Sequence, residues 1–314
     1  MALMDRLIGT AAPAVKHRLW IVSDLQQQYP ERATYCMTRA MDDFVSLGMP
    51  VEAAFYLGDA TEGPNPEFIR QMAQMQAEQF ARIDAPVYYS VGNHDFDYFR
   101  SCGKELGRMV IPFVDYMRQF PQWHVPEDML KMYSIIDMGD YAVCLLTDHA
   151  APDGSWHTTH GAVWGDAEAY PYDEEDYRAV MREVEALHKP VITMSHYAYP
   201  GGNREAELFR RFLPLPENIM IHLYGHAHIG DAQWAGKDCY RKIAAVDDQA
   251  VKQINVASLE NYRGSAVRSV ILEWYADDEL GILFRNHSRH CWDDYLIIRK
   301  GDCLRDPIDQ HERP

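Results

Sequence analysis

The chain has few cationic side chains for its length. Its 314 residues include 30 Lys and Arg against 47 Asp and Glu, which gives a formal net charge of −17 at pH 7. Binding to a nucleic-acid backbone or to an anionic membrane surface depends on clustered Lys and Arg. The charge balance therefore predicts that neither nucleic acid nor a membrane is the main partner, and it leaves the oligomeric state open.

Paired cysteine motifs and long apolar runs are also missing. The 6 cysteines show no C-x-x-C spacing, which favours reduced, structural thiols. Residues 1–16 lack the positively charged start and apolar stretch of a secretion signal, and no uninterrupted apolar run approaches a membrane span. These absences predict a cytoplasmic protein, and 47% hydrophobic residues allow a sizeable core.

Hydrophobic periodicity predicts alternating strands and helices in the first part of the chain. Strands over 17–23, 51–57 and 86–91 alternate with helices over 33–47 and 67–83, which implies right-handed crossovers and a largely parallel arrangement. The later predicted segments are helical segments within 98–120, a hairpin of 132–136 and 141–147, a long loop over 151–172, helices over 174–187 and 204–212, and strands over 191–194, 219–224, 253–257, 268–275 and 281–284. No linker divides them. We therefore predict one domain over 17–304, with an N-terminal extension (1–16) and a polar C-terminal tail (305–314).

Short polar clusters follow several of the predicted strands. They are Asp24-Leu25-Gln26, Gly58-Asp59, Gly92-Asn93-His94-Asp95, Ser195-His196 and Gly225-His226-Ala227-His228. Because each follows an apolar run, their side chains are expected at one strand–loop edge, where α/β proteins place their active sites. The mixture of Asp, Gln, Asn and His suits two divalent cations that share a carboxylate. The sequence thus predicts a dinuclear metal centre.

The order of these clusters resembles the calcineurin-like metallophosphoesterase superfamily. The resemblance spans Trp20 to His228, and its most specific part is Gly-Asn-His-Asp followed much later by Gly-His-x-His. It implies an α/β fold, a four-layer α-β-β-α sandwich in a single domain. It also implies two metal-ligand sets: Asp24, Gln26, Asp59 and His228 for one ion, and Asp59, Asn93, His196 and His226 for the other.

Gln26 departs from the superfamily, most of which carries His at this place. A Gln ligand offers an amide oxygen, which shifts preference toward Mn or Mg and away from Zn, although Fe and Zn stay possible ions for the centre. Gln at this place is also similar to the branch that includes Mn-dependent ADP-ribose and CDP-alcohol diphosphatases. The alternative is that Gln26 is not a ligand and a water fills the place.

His94 is the residue that the resemblance assigns to proton transfer. A metal-held hydroxide would attack phosphorus while His94, as general acid, protonates the leaving oxygen. Related phosphatases pair this His with an acidic residue three positions after the bridging Asp, which is Glu62 in this chain. Asp95 is the competing partner. Gly63 stands where protein phosphatases of the superfamily have a phosphate-gripping Arg.

Two further groups of polar residues have weaker patterns. Asp148-His149 together with Trp156, His157 and His160 can line a substrate pocket, or they can be solvated loop residues. The run from Arg285 to His290 offers two cations and two imidazoles for a distal phosphate, and an exposed loop is the alternative.

The sequence therefore predicts metal-dependent hydrolysis of a small phosphorylated substrate. A small phosphodiester or nucleotide diphosphate is favoured over a phosphomonoester. The rivals are a phosphomonoesterase or protein phosphatase, and, from another class, a metal-bearing scaffold that binds proteins without catalysis. A scaffold is expected to lose His94 or several ligands, and this chain retains them.

Overall fold

The described residues of the chain form four helices and thirteen strands. The computed structural model describes residues 14–63, 65–92, 94–96, 112–126, 133–146, 174–196, 215–226, 228, 231, 241–246, 249–261, 264–276 and 279–298. The helices are α1 (Pro30–Ser46), α2 (Pro66–Phe80), α3 (Pro112–Met117) and α4 (Glu174–Ala186). The strands are β1 (Val15–Val22), β2 (Ala53–Leu57), β3 (Val87–Ser90), β4 (Trp123–His124), β5 (Tyr133–Asp137), β6 (Ala142–Leu146), β7 (Val191–Ser195), β8 (Ile219–Tyr224), β9 (Arg241–Val246), β10 (Gln249–Asn255), β11 (Arg268–Tyr275), β12 (Leu280–Asn286) and β13 (Cys291–Ile298).

The strands pair into two sheets. The 7-stranded sheet has the order β13-β12-β11-β1-β2-β3-β4, and the 6-stranded sheet has the order β5-β6-β7-β8-β10-β9. Within the first sheet β1 to β4 run parallel, while β11, β12 and β13 join antiparallel. In the second sheet β6, β7, β8 and β10 run parallel between antiparallel edge strands. The parallel strands of both sheets carry the polar clusters at their ends.

Three apolar clusters separate four layers. One lies between the first sheet and α1, α2 and α3, one lies between the two sheets, and one lies between the second sheet and α4. Alternation along β1 explains why a strand serves two layers, since Trp20 and Val22 face the helices while Leu19 and Ile21 face the other sheet. The mixed α/β fold with two sheets, predicted as a four-layer sandwich, is confirmed.

Most predicted elements within the described residues are present, with shifted ends. The helix predicted over 33–47 begins three residues earlier, because Pro30 is pre-organised for a helix start. The helix predicted over 67–83 begins at Pro66, where the Asn65 side chain accepts a hydrogen bond from the Phe68 N–H at 2.9 Å. The predicted helix over 204–212, the loop over 151–172 and most of the helical stretch within 98–120 lie outside the described residues.

The prediction missed three strands. β4 has two residues, too few for a pattern, and β9 and β13 mix charged and apolar residues. The predicted parallel crossovers hold for β1, β2 and β3, but antiparallel strands complete both sheets.

The structure also bears on the cysteines and on membrane-spanning helices. Cys36 and Cys144 are buried free thiols, and burial raises the pKa of each to about 12, so both pack as small apolar groups. Among the described residues, no helix combines the length and the apolar character that crossing a membrane requires.

Candidate metal centre

The predicted ligand side chains follow the carboxyl ends of parallel strands in both sheets. Asp24 follows β1, Asp59 follows β2, His196 follows β7, and His226 and His228 follow β8. Strands that run in one direction end at the same edge, so the two sheets bring these side chains to a shared edge. Five predicted ligands are therefore in one place.

Backbone hydrogen bonds join the loops that carry the ligands. The N–H of Asp24 donates to Gly58 O at 3.1 Å, and the N–H of Gln26 donates to Asp59 O at 2.9 Å. The N–H of His226 donates to the Asp24 carboxylate at 2.9 Å, which ties the second sheet to the first. Gly225 allows this approach, because a Cβ there would lie 2.6 Å from Asp24 Oδ2.

Four of the ligands have a left-handed backbone. The φ angles are 57° at Asp24, 55° at Asp59, 63° at His226 and 40° at His228. This conformation costs non-glycine residues free energy, about 1–3 kcal/mol each, and strain of this kind clusters at functional sites. Here the surrounding hydrogen bonds maintain the left-handed conformation. This conformation directs the ligand side chains toward one another.

The first ligand group contains Asp24, Asp59 and His228, which offer ligand atoms within 4.8 Å of one another. His228 Nε2 lies 3.2 Å from Asp24 Oδ1 and 2.8 Å from Gln26 Nε2. Gln26 is fully buried, and within the described part of the chain no hydrogen-bond donor reaches its Oε1. A buried amide oxygen without a donor is a suitable ligand for a hard cation.

The second ligand group contains Asp59 again, with His196 and His226. His196 Nε2 lies 3.2 Å from Asp59 Oδ2, and His226 Nδ1 lies 3.2 Å from His196 Nε2. His196 Nδ1 bonds the carbonyl of Leu57 at 2.7 Å, which fixes the ring. Asp59 is the carboxylate common to both groups.

Burial and mutual proximity shift the pKa values of these side chains. Burial opposes ionisation of Asp59, yet the charge of His196 lowers the pKa of that carboxyl below its usual range. Burial would lower the pKa of His196, but Asp59 raises it to about 9. Burial and the charge of His196 lower the pKa of His226 to about 3. Burial raises the pKa of Asp24 against the opposing charges of His228 and His196, so positive charge nearby favours its ionised form.

Glu62 faces His94 at the opening of the centre. His94 lies in a 3₁₀ turn (His94–Phe96), and its backbone N–H donates to Asp59 Oδ1 at 2.7 Å. Its Nδ1 lies 3.9 Å from Glu62 Oε2, and Glu62 Oε1 accepts a hydrogen bond from Gln28 Nε2 at 3.0 Å. Gln28 had no part in the sequence prediction. Its proximity to Asp24 and Gln26 in the chain was the only signal.

Asp95 is buried and binds the backbone of the loops that carry the metal-ligand groups. Its carboxylate accepts hydrogen bonds from the N–H groups of Asp59, Ala60 and Gly92 and from the Tyr89 hydroxyl. Burial and the nearby charge of Asp59 raise the pKa of Asp95 to about 7. These contacts make Asp95 a support for the loop that carries Asp59, and they leave Glu62 as the acidic side chain that faces His94.

Several predicted residues lie outside the described part of the chain. They are Asn93, Asp148, His149, Trp156, His157 and His160. The Arg285 to His290 run is described, and its first two residues belong to β12 rather than to an exposed loop. Arg285 and His287 are buried and bind Asp43, so the predicted alternative of a distal phosphate site has no support there.

Glu260 was absent from the sequence prediction and contacts the centre directly. It is fully buried, and its carboxylate contacts His228 Nδ1. A Glu after an apolar stretch is common, so the sequence offered no distinctive signal.

Comparison with known proteins agrees with this geometry. The family model described as calcineurin-like phosphoesterase matches residues 17–230. A purple acid phosphatase from yellow lupin (Lupinus luteus) seeds has a similar structure, with a TM-score of 0.52, 15% identity, and coverage of 91% of this chain and 54% of that chain. The chain thus spans about half the length of the lupin protein, and at this identity the likeness concerns the fold alone. A protein from Thermus thermophilus gives a TM-score of 0.43 at 12% identity, with 91% of this chain and 100% of that chain covered. None of the curated proteins compared with the chain matches it.

The chain belongs to the calcineurin-like phosphoesterase family, since the match covers about two thirds of its length and includes most of the clustered ligands. The family is described as one of phosphoesterases.

Proposed function

We propose that the protein hydrolyses a small phosphodiester or a nucleotide diphosphate at a dinuclear metal centre. The observation that carries the proposal is the membership of Asp59 in both ligand groups, because one shared carboxylate is how two cations are held side by side. Asp24, Gln26, Asp59 and His228 would hold the first ion. Asp59, Asn93, His196 and His226 would hold the second.

The donor set fits divalent cations. Gln26 Oε1 is buried without a donor from the described residues, and Asp24 is a buried carboxylate whose pKa is raised. Both are costly in a protein alone, and a bound cation removes the cost. When bound, two cations neutralise phosphoryl oxygens and lower the pKa of water.

His94 is the group that would protonate the leaving oxygen. It is partly exposed at the opening of the centre, so a substrate can reach its ring. Glu62 at 3.9 Å favours the cationic form of His94, and Gln28 orients Glu62. A neutral imidazole in the same place would be a far weaker acid toward the leaving oxygen.

Gly63 argues against a protein-phosphatase function. A Cβ at this position would lie 2.6 Å from Phe68 Cδ1 and 2.9 Å from Ile69 Cγ1, so packing leaves no space for a larger side chain. A larger side chain there, such as the arginine that protein phosphatases of the superfamily carry, would have to displace Phe68 or Ile69. A phosphodiester carries less negative charge than a phosphomonoester, so it depends less on such an arginine. The Gln26 amide, by resemblance, favours the diphosphate and Mn.

A metal-supplemented activity screen tests the proposal. Metal-free protein is assayed with Mn²⁺, Mg²⁺, Zn²⁺ or Fe²⁺ against monoesters, diesters, cyclic nucleotides and nucleotide diphosphates, with Asp59→Asn as the inactive control. We expect Mn²⁺-dependent hydrolysis of a diester or diphosphate. Preference for a monoester would favour the phosphomonoesterase alternative. Metal binding without hydrolysis of any substrate would favour the scaffold.

A further inference from the structure

A buried carboxylate outside the family's ligand motifs contacts one of the metal-ligand histidines. Glu260 is fully buried, and its carboxylate contacts Nδ1 of His228, the nitrogen that faces away from Asp24 and Gln26. Its backbone N–H donates to the carbonyl of Asp24 at 3.0 Å. One residue thus touches two members of the first ligand group, one through its side chain and the other through its backbone.

The segment that carries Glu260 is fixed to the strand ends of the centre. Asn255 accepts a hydrogen bond from the Ala257 N–H at 2.8 Å and donates to Gly225 O at 2.6 Å. Ala257 has a φ of 66°, an unusual conformation for alanine that turns the chain back toward β1. The N–H of Leu259 then donates to Ser23 O at 2.9 Å. These bonds fix the position of Glu260 relative to Asp24 and His228.

We propose that Glu260 is a positioning residue for the first metal. Its carboxylate accepts the Nδ1–H of His228, which selects the tautomer whose Nε2 lone pair is available to a cation. A carboxylate behind a metal-binding imidazole also raises the basicity of that imidazole. The inference rests on the proposed dinuclear centre, but it concerns metal retention rather than the reaction.

The partner behind His196 in the second ligand group is a neutral one. His196 Nδ1 bonds the neutral carbonyl of Leu57 at 2.7 Å, where His228 has a carboxylate. The first group has the neutral amide of Gln26 among its candidate ligands. The negative charge of Glu260, on the far side of His228, compensates for the charge that this amide does not supply. The two ions are therefore bound unequally, and Glu260 acts on the first of them.

The test measures Mn²⁺ binding by metal-free protein, with free Mn²⁺ followed by electron paramagnetic resonance. Glu260→Gln keeps the shape of the side chain and removes its charge. We expect one class of site to weaken by about 10- to 100-fold and the other to keep its affinity. Asp24→Asn should weaken the same class.

A matched control is Glu273→Gln. Glu273 is a buried carboxylate that binds Arg18 at 2.8 Å and the Tyr275 hydroxyl at 2.9 Å, and it has no part in the centre. This variant should leave both affinities at the wild-type value. Equal affinities in Glu260→Gln and wild type, or equal weakening of both classes in Glu260→Gln, would overturn the proposal.

A second measurement does not depend on the variant folding. In metal-free wild-type protein, ¹⁵N chemical shifts of the His228 ring should show the proton on Nδ1. A proton on Nε2 would overturn the proposal. Wild-type protein that binds no Mn²⁺ would instead overturn the proposed dinuclear centre, and the ring-nitrogen shifts would still decide the role of Glu260.

Discussion

Two buried carboxylate clusters in this protein have opposite electrostatics. In the first, Asp43 of α1 accepts two hydrogen bonds from Arg285, both at 2.7 Å, and further bonds from His287 at 2.8 Å and His290 at 2.7 Å. In the second, the partners of Asp24 and Asp59 are histidines, backbone N–H groups and the Ser23 hydroxyl. Burial would raise the pKa of Asp43, but the Arg285 bonds lower it below the usual range, whereas burial raises the pKa of Asp24.

The difference teaches how a structural cluster can be distinguished from a cation site. Asp43, His287 and Ser269 even have the order of a hydrolytic triad, since His287 Nε2 bonds Ser269 Oγ at 2.7 Å. Ser269 is fully buried, however, and its Oγ accepts the Trp20 indole N–H at 2.8 Å, so it cannot meet a substrate. The Asp43 cluster contains its own cation, Arg285. The Asp24 and Asp59 centre needs cations from outside.

Asp59→Asn should break the comparison most completely. One neutral amide in place of the shared carboxylate weakens both ligand groups, so metal content should fall from about two ions to well below one and activity should be lost. In the metal-free variant the buried His196 loses its carboxylate partner, so the unfolding temperature should fall. Elemental analysis and calorimetry check this. Two tightly held ions in the variant would show that Asp59 is not the bridge.

His94→Ala tests whether the opening of the centre carries the proton transfer. Loss of a general acid costs about 10²- to 10⁴-fold in rate. Metal content should be unchanged, and the loss should shrink for substrates with an acidic leaving group such as nitrophenol. Steady-state kinetics on paired substrates checks this. Equal losses for good and poor leaving groups would count against proton transfer by His94.

The sequence predicts the fold and much of the centre because both depend on local patterns. Apolar runs predict β1, β2, β7 and β8, and the polar residues that follow them are the ligands of the two groups. The family membership is confirmed. The domain boundaries, the cytoplasmic location and the roles of the individual site residues stay predictions.

The missed residues depend on contacts that cross the fold. Asp43 reaches Arg285 only after β11 and β12 join the sheet beside β1, and Glu260 reaches His228 across the paired strands β8 and β10. Asp43 did carry a local signal, since it lies on the buried face of α1 beside Phe44. A charged residue within an apolar stripe requires a partner of opposite charge. In the structure that partner is Arg285.

Asp43→Asn should sharpen the contrast from the structural side. Leaving Arg285 buried without its carboxylate should lower the free energy of unfolding by about 3–5 kcal/mol. Because the pKa of Asp43 is lower in the folded protein, the wild-type advantage should be complete above about pH 5 and shrink as the pH falls below about 4. Denaturant unfolding across this pH range checks the effect. Metal affinity should not change, and a large loss of bound metal would contradict the separation of the two clusters.

Gln26→His changes the smallest part of the centre, a single ligand atom of the first group. If the Gln26 amide oxygen binds the first ion, wild-type protein should be most active with Mn²⁺ and poorly activated by Zn²⁺, which prefers nitrogen and sulfur. The variant supplies an imidazole nitrogen, so Zn²⁺ or Fe²⁺ retention should rise relative to Mn²⁺, by less than the loss expected for Asp59→Asn. Metal-activation profiles with a nucleotide diphosphate substrate check this, and Gln71→His on the exposed side of α2 is the control. Identical profiles for Gln26→His and wild type, with no diphosphate hydrolysis under Mn²⁺, would mean that water occupies the ligand place. No donor from the described residues reaches the buried Gln26 Oε1, and a cation would be a partner for it. We therefore expect the metal-activation profile of Gln26→His to differ from that of the wild type.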